Sequence, residues 1–146
     1  MNISNFKHST PIQLRFADTD VMRHINNANY HTYIELGRIK YFSDVVKLPV
    51  DWVQKGIILA SVKMDYLKPV FFDDHIEVLT RCSRMGNKSF DFEYLIVRPH
   101  PDPLLEEREK EICASATTVQ VCFDYVKNET IPMPEEWKKL FGEFEK

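Results

Sequence analysis

The run from Arg15 to Phe42 limits the possible folds of this chain more than any other stretch. It starts with a strand-like piece, passes through a turn rich in Asp, His and Asn, and continues into a long amphipathic helix. From Tyr30 to Val46 apolar residues recur at helical spacing, and further apolar positions widen the stripe. So broad an apolar surface predicts a helix that is enclosed on more than one side.

The segments around this helix have β-strand patterns. Residues 12–17 alternate apolar and polar side chains, which is typical of a strand, and Asn26 or Asn27 can cap the helix that follows. Pro49 should stop the helix if it runs past Leu48. Four β-rich runs come next, at 56–69, 76–82, 89–98 and 112–126. The sequence therefore predicts one helix near the front of the chain, followed by a series of strands.

Three local features refine this prediction. Residues 85–88 are typical of a hairpin turn, and the Pro-rich, charged residues 99–111 are expected to form an exposed connection. The last long strand should be bent or bulged around Thr117 and Thr118, where its alternation changes phase. Pro134 and the acidic residues after it predict a short C-terminal helix.

Composition limits the class of protein. The chain has 146 residues, of which 44% are hydrophobic, so we expect residues 1–146 to form one domain with one core. The formal net charge of -3 gives no electrostatic indication of nucleic-acid or membrane-surface binding. No run of 18 apolar residues occurs, and the first residues lack the apolar core of a signal peptide. We therefore expect a cytoplasmic protein without nucleic-acid or membrane partners.

Cysteine and histidine spacing argues against a metal site. Cys82, Cys113 and Cys122 lack C-x-x-C spacing and fall in strand-like runs, so buried free thiols are expected and a Cys-His nucleophilic pair is disfavoured. Asp20, His24 and His31 have no recognised zinc spacing. A calcium loop that begins at Asp18 would need an oxygen ligand and a glycine at positions 22 and 23, where Met and Arg stand. No metal is therefore predicted.

Asp20 is the main candidate for chemistry. It lies just before a helix N-terminus, where backbone N–H groups can stabilise a developing oxyanion. The alternative is structural, because Asp18 and Asp20 are both of the residue type that bonds turn amides ahead of a helix.

The order of these motifs resembles a known family. D-T-D precedes H-x-N-N-A-x-Y, a long helix, then Y-L-K-P-V-x-x-D-D and G-x-K-S-F. This pattern, from about Pro11 to Tyr125, is similar to hotdog-fold acyl-CoA thioesterases of the 4-hydroxybenzoyl-CoA thioesterase type. The resemblance implies an α+β hotdog fold, in which an antiparallel sheet wraps around a long central helix.

The resemblance also implies roles for particular residues. Asp20 matches the catalytic carboxylate, and the backbone N–H of Asn27 matches the group that polarises the thioester carbonyl. Asp20 could attack directly or deprotonate a water. His24 could orient that carboxylate, contact substrate or assist proton transfer. A related acyl-carrier-protein thioesterase branch has Asn at the position of Met22, so a mechanism that needs that amide is in doubt here.

Further residues are assigned to substrate binding by the same resemblance. Tyr30 is expected in the core with its hydroxyl near the pocket, while Lys88 and Ser89 match residues that meet the CoA nucleotide phosphates. Three more basic side chains are weaker candidates for the phosphates, namely Lys68, Arg81 and Arg84. The acyl group would lie in an apolar pocket between the helix and sheet of adjacent subunits.

The expected reaction is hydrolysis of an acyl-CoA by a homodimer or homotetramer whose sheets pair edge to edge, with no cofactor because CoA is part of the substrate. Two other classes stay open. One is another hotdog enzyme, either an acyl-carrier-protein thioesterase or a dehydratase, although dehydratases usually centre on His. The other is a non-catalytic acyl-CoA binding module. The identity of the acyl group is not determined by the sequence.

Overall fold

The computed structural model describes residues 1–47, 49–100, 102, 104 and 109–146. Within these ranges the strands and α-helices, in chain order, are β1 (His8–Ile12), α1 (Asn27–Val46), β2 (Gly56–Tyr66), β3 (Ile76–Met85), β4 (Ser89–Pro99), β5 (Lys110–Asp124), β6 (Glu129–Thr130) and α2 (Glu135–Glu145).

The strands form one antiparallel sheet. Its order is β1-β3-β4-β5-β2, with the short β6 paired to β5. The long helix α1 packs on β3 and β1, and the main hydrophobic cluster joins its buried side chains to those of β3, β4 and β5. The predicted architecture of a sheet around a long helix is therefore confirmed. Within the described ranges, no helix combines the length and the apolar character that crossing a bilayer requires.

Helix α1 begins earlier than its apolar pattern. Asn26 is the N-cap, and its side-chain oxygen accepts a hydrogen bond from the Ala28 N–H at 3.0 Å. The first exposed turn carries little apolar signal, which explains why the pattern marks the helix only from Tyr30. At the other end, Lys47 has a left-handed φ of 55° and Pro49 follows. Leu48 lies outside the described residues.

Aromatic side chains fill the space between α1, β4 and α2. The Phe42 ring of α1 makes edge contacts with Phe92 of β4 and with Trp137 and Phe141 of α2. The predicted C-terminal helix is confirmed, with Pro134 as its N-cap and two acidic residues in its first turn. Near its end Glu145 accepts a 2.6 Å hydrogen bond from the Tyr41 hydroxyl, which fixes α2 to the core.

The first strand was predicted in the wrong place. Strand β1 ends at Ile12, whereas the prediction placed a strand at 12–17. The following residues turn into a short 3-10 helix, Phe16–Asp18, because the Arg15 side chain and N–H bond the Asp18 carboxylate. This local bonding competes with continuation of the strand.

The predicted bulge in β5 was also misplaced. Thr117 and Thr118 keep a regular register with β4, while the irregularity lies at Cys113, between the pairs Ile96–Ala114 and Val97–Ile112. Cys113 and Ala114 are both buried, so the phase change occurs there. The prediction failed because Thr118 and Gln120 are polar residues on the buried face.

The remaining predictions concern the hairpin turn, the cysteines and the connection at 99–111. The hairpin turn at 85–88 is confirmed, with β3 ending at Met85 and β4 beginning at Ser89. All three cysteines are buried and free. Of the connection predicted at 99–111, residues 101, 103 and 105–108 lie outside the described residues, and strands β4 and β5 reach Pro99 and Lys110.

Gly37 marks the closest approach of α1 to the sheet. A Cβ atom at this position would lie 2.7 Å from Val78 Cγ1 and 2.9 Å from Thr80 Oγ1. The change Gly37→Ala should therefore lower the free energy of unfolding by about 1–3 kcal/mol through overpacking, despite the better helix propensity of Ala. Urea unfolding measures this. The matched change Gly142→Ala in α2, where Met85 Cε would lie 3.8 Å from the new Cβ, should be neutral or stabilising. Equal changes in the free energy of unfolding for the two variants would contradict the tight contact at Gly37.

Candidate active site

Asp18 fixes the loop that leads into α1. Its side chain is 1% exposed and accepts hydrogen bonds from Arg15 at 2.7 and 3.0 Å and from the Tyr33 hydroxyl at 2.7 Å. Its backbone carbonyl accepts bonds from Asn26 N–H and the Asn29 side chain. Burial alone would raise the pKa of Asp18, but the bonds from Arg15 and Tyr33 outweigh burial and hold that pKa below its ordinary value. These contacts give Asp18 a structural role.

Asp20 is held by one of its two carboxylate oxygens. Oδ1 accepts hydrogen bonds from the backbone N–H groups of Met22 at 2.9 Å and His24 at 3.2 Å. The Asp20 N–H donates to the His24 carbonyl at 2.8 Å, so the loop closes on itself. Oδ2 receives no hydrogen bond from any described residue. The side chain is partly exposed, which leaves one oriented oxygen free for chemistry.

The N-terminus of α1 offers a free donor. Asn26 accepts from the N–H groups of Ala28 and Asn29, which satisfies two donors of the first turn. Asn27, the first helical residue, donates its backbone N–H to no group among the described residues. This N–H lies at the positive end of the helix dipole, where a developing oxyanion would be stabilised.

A cavity of about 220 Å³ lies beside this helix start, and His24, Asn27 and Tyr30 line it. The buried Tyr30 hydroxyl accepts a bond from the Val70 N–H at 3.3 Å, and the Tyr66 hydroxyl is 3.4 Å from the Asn27 carbonyl. Asp20 is on the adjoining loop and does not line this cavity. The structure therefore brings three of the predicted site residues to one cavity.

Of the three roles that the sequence left open for His24, the position of its ring does not favour orientation of the Asp20 carboxylate. Only its backbone N–H contacts the Asp20 carboxylate, while the imidazole packs edge-on against Phe71, with 5.1 Å between ring centroids. The ring is thus placed at the cavity wall rather than against the carboxylate.

Leu67, Lys68 and Pro69 also line this cavity, and within the segment 67–74 the sequence predicted a possible role for Lys68 alone. The Ile25 N–H donates to the Val70 carbonyl at 2.8 Å, which joins this segment to the Asp20 loop. Asp74 accepts bonds from the Phe71 N–H at 2.9 Å and from Arg98 at 2.8 Å, and Arg98 also pairs with Glu111. The sequence did contain a signal for this segment, since Y-L-K-P-V-x-x-D-D is one of the motifs of the family resemblance. No role was predicted for its acidic residues.

Lys88 and Ser89 lie far from this cavity within one subunit. Tyr66, which contacts Asn27, pairs with Ala114, and Ala114 pairs with Ile96 of β4. Ser89 begins β4 seven residues before Ile96, which is roughly 24 Å along the strand. A single chain therefore does not bring Lys88 and Ser89 to Asn27.

The other basic candidates are already ion-paired. Each has a carboxylate partner, the pairs being Lys68–Glu111, Arg81–Glu93 and Arg84–Asp91. Exposed Lys88 contacts the Thr130 hydroxyl at 3.3 Å, so its charge is not neutralised in this way. Among the described residues, no group of three or more His, Cys, Asp and Glu side chains could hold a metal ion.

Comparison with known proteins assigns the class. The model of the thioesterase-like superfamily matches residues 14–141, and the chain belongs to this family. YsmA of Bacillus subtilis is 25% identical over 136 residues, which cover 93% of this chain and 86% of that protein.

Solved structures agree. A Thermus thermophilus thioesterase complexed with coenzyme A and zinc is 27% identical, with a TM-score of 0.80 and 98% of each chain covered. A 4-hydroxybenzoyl CoA thioesterase variant complexed with 4-hydroxybenzoyl CoA has a TM-score of 0.79 at 18% identity, with 91% of this chain and 96% of that chain covered, and therefore shares the fold. These findings confirm the hotdog fold and the family resemblance predicted from the motifs.

Proposed function

We propose that this protein hydrolyses an acyl-CoA thioester to a carboxylic acid and CoA. The observation that carries the proposal is that one short segment holds two groups without a hydrogen-bond partner among the described residues, Asp20 Oδ2 and the Asn27 N–H. Acyl transfer needs a base or nucleophile and a donor for the oxyanion, and these groups supply both. The coenzyme A complex of the Thermus thermophilus relative supports CoA as the carrier.

The reaction would proceed with the thioester oxygen at the Asn27 N–H, which stabilises the negative charge as the carbonyl carbon becomes tetrahedral. Asp20 can take either of two roles. As a nucleophile it forms a mixed anhydride as the C–S bond breaks, and water then hydrolyses the anhydride. As a base it removes a proton from the attacking water. In both cases CoA departs as a thiolate and takes up a proton that the attacking water releases, so that it ends as a thiol.

A site formed by two subunits would explain how Lys88 and Ser89 could take part in CoA binding although they lie far from Asn27 in their own chain. Strand β2 is a sheet edge, and apolar residues such as Leu59 and Val62 are exposed on it. In an antiparallel pairing of β2 with β2 of a second copy, the two sheets would run in opposite directions along the shared edge. Lys88 and Ser89 of the second copy would then lie toward the Asn27 end of the first copy, where they could meet the CoA phosphates.

We therefore expect a homodimer or a dimer of dimers. Light scattering at micromolar protein concentration should give at least twice the chain mass, because an unpaired apolar edge strand favours association. The change Val62→Lys should weaken both assembly and hydrolysis, whereas Val126→Lys, at an exposed residue after β5, should leave both intact. A monomer mass with full activity would overturn this expectation.

The function itself is tested with a panel of aromatic, short-chain and long-chain acyl-CoA substrates. Release of the free CoA thiol is followed for each substrate. Hydrolysis of at least one acyl-CoA well above the uncatalysed rate is expected. Tight binding of acyl-CoA without thiol release would favour the non-catalytic binding module, and activity only on acyl-carrier-protein thioesters would favour that branch of the family.

A further inference from the structure

The side chain of Arg98, on β4, joins the wall of the 220 Å³ cavity to the sheet. Its Nε donates to Glu111 of β5 at 2.7 Å. One terminal nitrogen donates to the Pro69 carbonyl at 3.1 Å and to Asp74 Oδ2 at 2.8 Å. The side chain is 17% exposed, so water competes weakly for these donors. Because Pro69 lines the cavity, the guanidinium group ties this part of its wall to β4 and β5.

The two contacts of Arg98 with this segment lie on either side of Val70. Pro69, whose carbonyl accepts from Arg98, directly precedes Val70. Asp74 Oδ2, the other acceptor, also accepts the N–H of Phe71 at 2.9 Å. One guanidinium nitrogen thus fixes the carbonyl before Val70 and, through Asp74, the N–H after it. Arginine suits this task because its donors lie in one rigid plane, whereas lysine carries a compact ammonium on a flexible stem.

The Val70 carbonyl in turn holds the loop that leads into α1. It accepts the Ile25 N–H at 2.8 Å, and Ile25 is 2% exposed, so this bond is shielded from water. Ile25 lies between Asp20 and Asn27 in the chain, and Phe71 forms a β-bridge with the same loop. The bond therefore fixes the middle of the stretch that carries both the proposed base or nucleophile and the proposed oxyanion donor.

We propose that Arg98 is a positioning residue for the thioester site, which acts through Val70 to hold Asp20 and the Asn27 N–H in their productive arrangement. This inference rests on the proposed function, which assigns the chemistry to those two groups. Such groups must be held closely, since a misplacement of about 1 Å by a distant change can cost about 100-fold in rate. A role in folding alone would instead lower the stability of the whole domain and leave kcat of the folded protein unchanged.

Arg98→Lys is the variant that separates these two roles. It keeps the positive charge but loses the planar set of donors. Glu111 keeps Lys68 as an ion-pair partner, so we expect the variant to fold, which circular dichroism checks. Asp74→Asn, which removes the charge that Arg98 binds in the segment 67–74, gives the same readouts if Arg98→Lys does not fold.

The first readout is amide hydrogen exchange by NMR, which needs no substrate. The N–H groups of Ile25 and Cys122 are matched probes, because both residues are buried and each N–H donates to a backbone carbonyl at 2.8 Å. The acceptor of Cys122 is Lys88, at the other end of the sheet from Arg98. In Arg98→Lys the exchange rate at Ile25 should rise at least about 10-fold relative to that at Cys122, because loss of a bond to a charged group opens the local structure that depends on it.

The second readout is the kinetics of hydrolysis with the best acyl-CoA substrate. The donors of Arg98 already have protein partners, so substrate binding should change little. In Arg98→Lys kcat should fall at least about 10-fold while KM stays within a small factor of the parent value. The matched control is Lys110→Met, which removes an ion pair with Glu77 one position along β5 from the partner of Arg98. It should change neither kcat nor the exchange ratio.

Unchanged kcat in folded Arg98→Lys would overturn the proposal, as would exchange rates that change equally at Ile25 and Cys122. A parent protein that releases no CoA thiol from any acyl-CoA would count against the proposed function. In that case the exchange ratio decides by itself whether Arg98 holds the loop, so the two failures are distinguishable.

Discussion

Thioester hydrolysis should fall at least about 100-fold when Asp20 is changed to Asn. Asn keeps the size of the side chain, and its amide oxygen can still accept the two backbone bonds from Met22 and His24 that hold Oδ1. The change removes the charge of the free Oδ2, which the proposed reaction needs as nucleophile or base. The loss should therefore appear in kcat, measured as thiol release with the best acyl-CoA substrate, with little change in thermal unfolding.

Asp73→Asn is the matched control for this experiment. Asp73 is also an aspartate in an exposed loop, but it is not part of the loop that leads into α1 at Asn27. Its replacement should leave kcat within a small factor of the parent. If Asp20→Asn hydrolyses the same substrate as fast as the parent does, Asp20 is not catalytic and the proposed mechanism is wrong.

In contrast to Asp20→Asn, the change Asp18→Asn should cause a large loss of stability and a smaller loss of turnover. The change removes the buried charge that Arg15 and Tyr33 bond, and hydrogen bonds to charged groups contribute about 1.5–3 kcal/mol each. Because Arg15 is largely exposed and can return to solvent, we expect a net loss of about 2–3 kcal/mol in urea unfolding at neutral pH. A loss below about 0.5 kcal/mol would contradict the structural role of Asp18.

The pH dependence of this effect follows from the lowered pKa of Asp18. A carboxyl whose pKa is lower in the folded state stabilises the fold at pH values above its unfolded pKa, near 3.9, and this contribution is lost as pH falls through the folded pKa. The stability difference between parent and Asp18→Asn should therefore shrink as the pH is lowered below about 3.9. A difference that stays constant over that range would exclude the linkage.

The long helix and the positions of the later strands along the chain could be predicted from the spacing of their apolar residues. The stripe from Tyr30 to Val46 and the runs that became β3, β4 and β5 each bury a face, so their spacing carries the signal. The errors arose where a local hydrogen bond or a buried polar residue replaces that pattern. Arg15 and Asp18 turn the chain where alternation suggested a strand, and Thr118 and Gln120 are polar on the buried face.

The candidate site was predictable from its motif to a lesser extent. The residues of the Asp20 loop and the start of α1 are adjacent in sequence, so one segment brings His24, Asn27 and Tyr30 to one cavity. The contacts of Val70 and Phe71 with the Asp20 loop were not predicted, because they join segments that are far apart in the sequence. The distance between Lys88 and Asn27 depends on which strands are neighbours in the sheet, and the spacing within single segments does not show this.

A crystal structure with a ketone analogue of an acyl-CoA, in which a methylene group replaces the sulfur, tests the central claim most directly. The analogue keeps the carbonyl but cannot lose CoA. We predict that its carbonyl oxygen lies within hydrogen-bond distance of the Asn27 N–H and that the free oxygen of Asp20, or a water bound to it, faces the carbonyl carbon. A carbonyl bound elsewhere, with the Asn27 N–H unpaired and Asp20 directed away, would contradict the account.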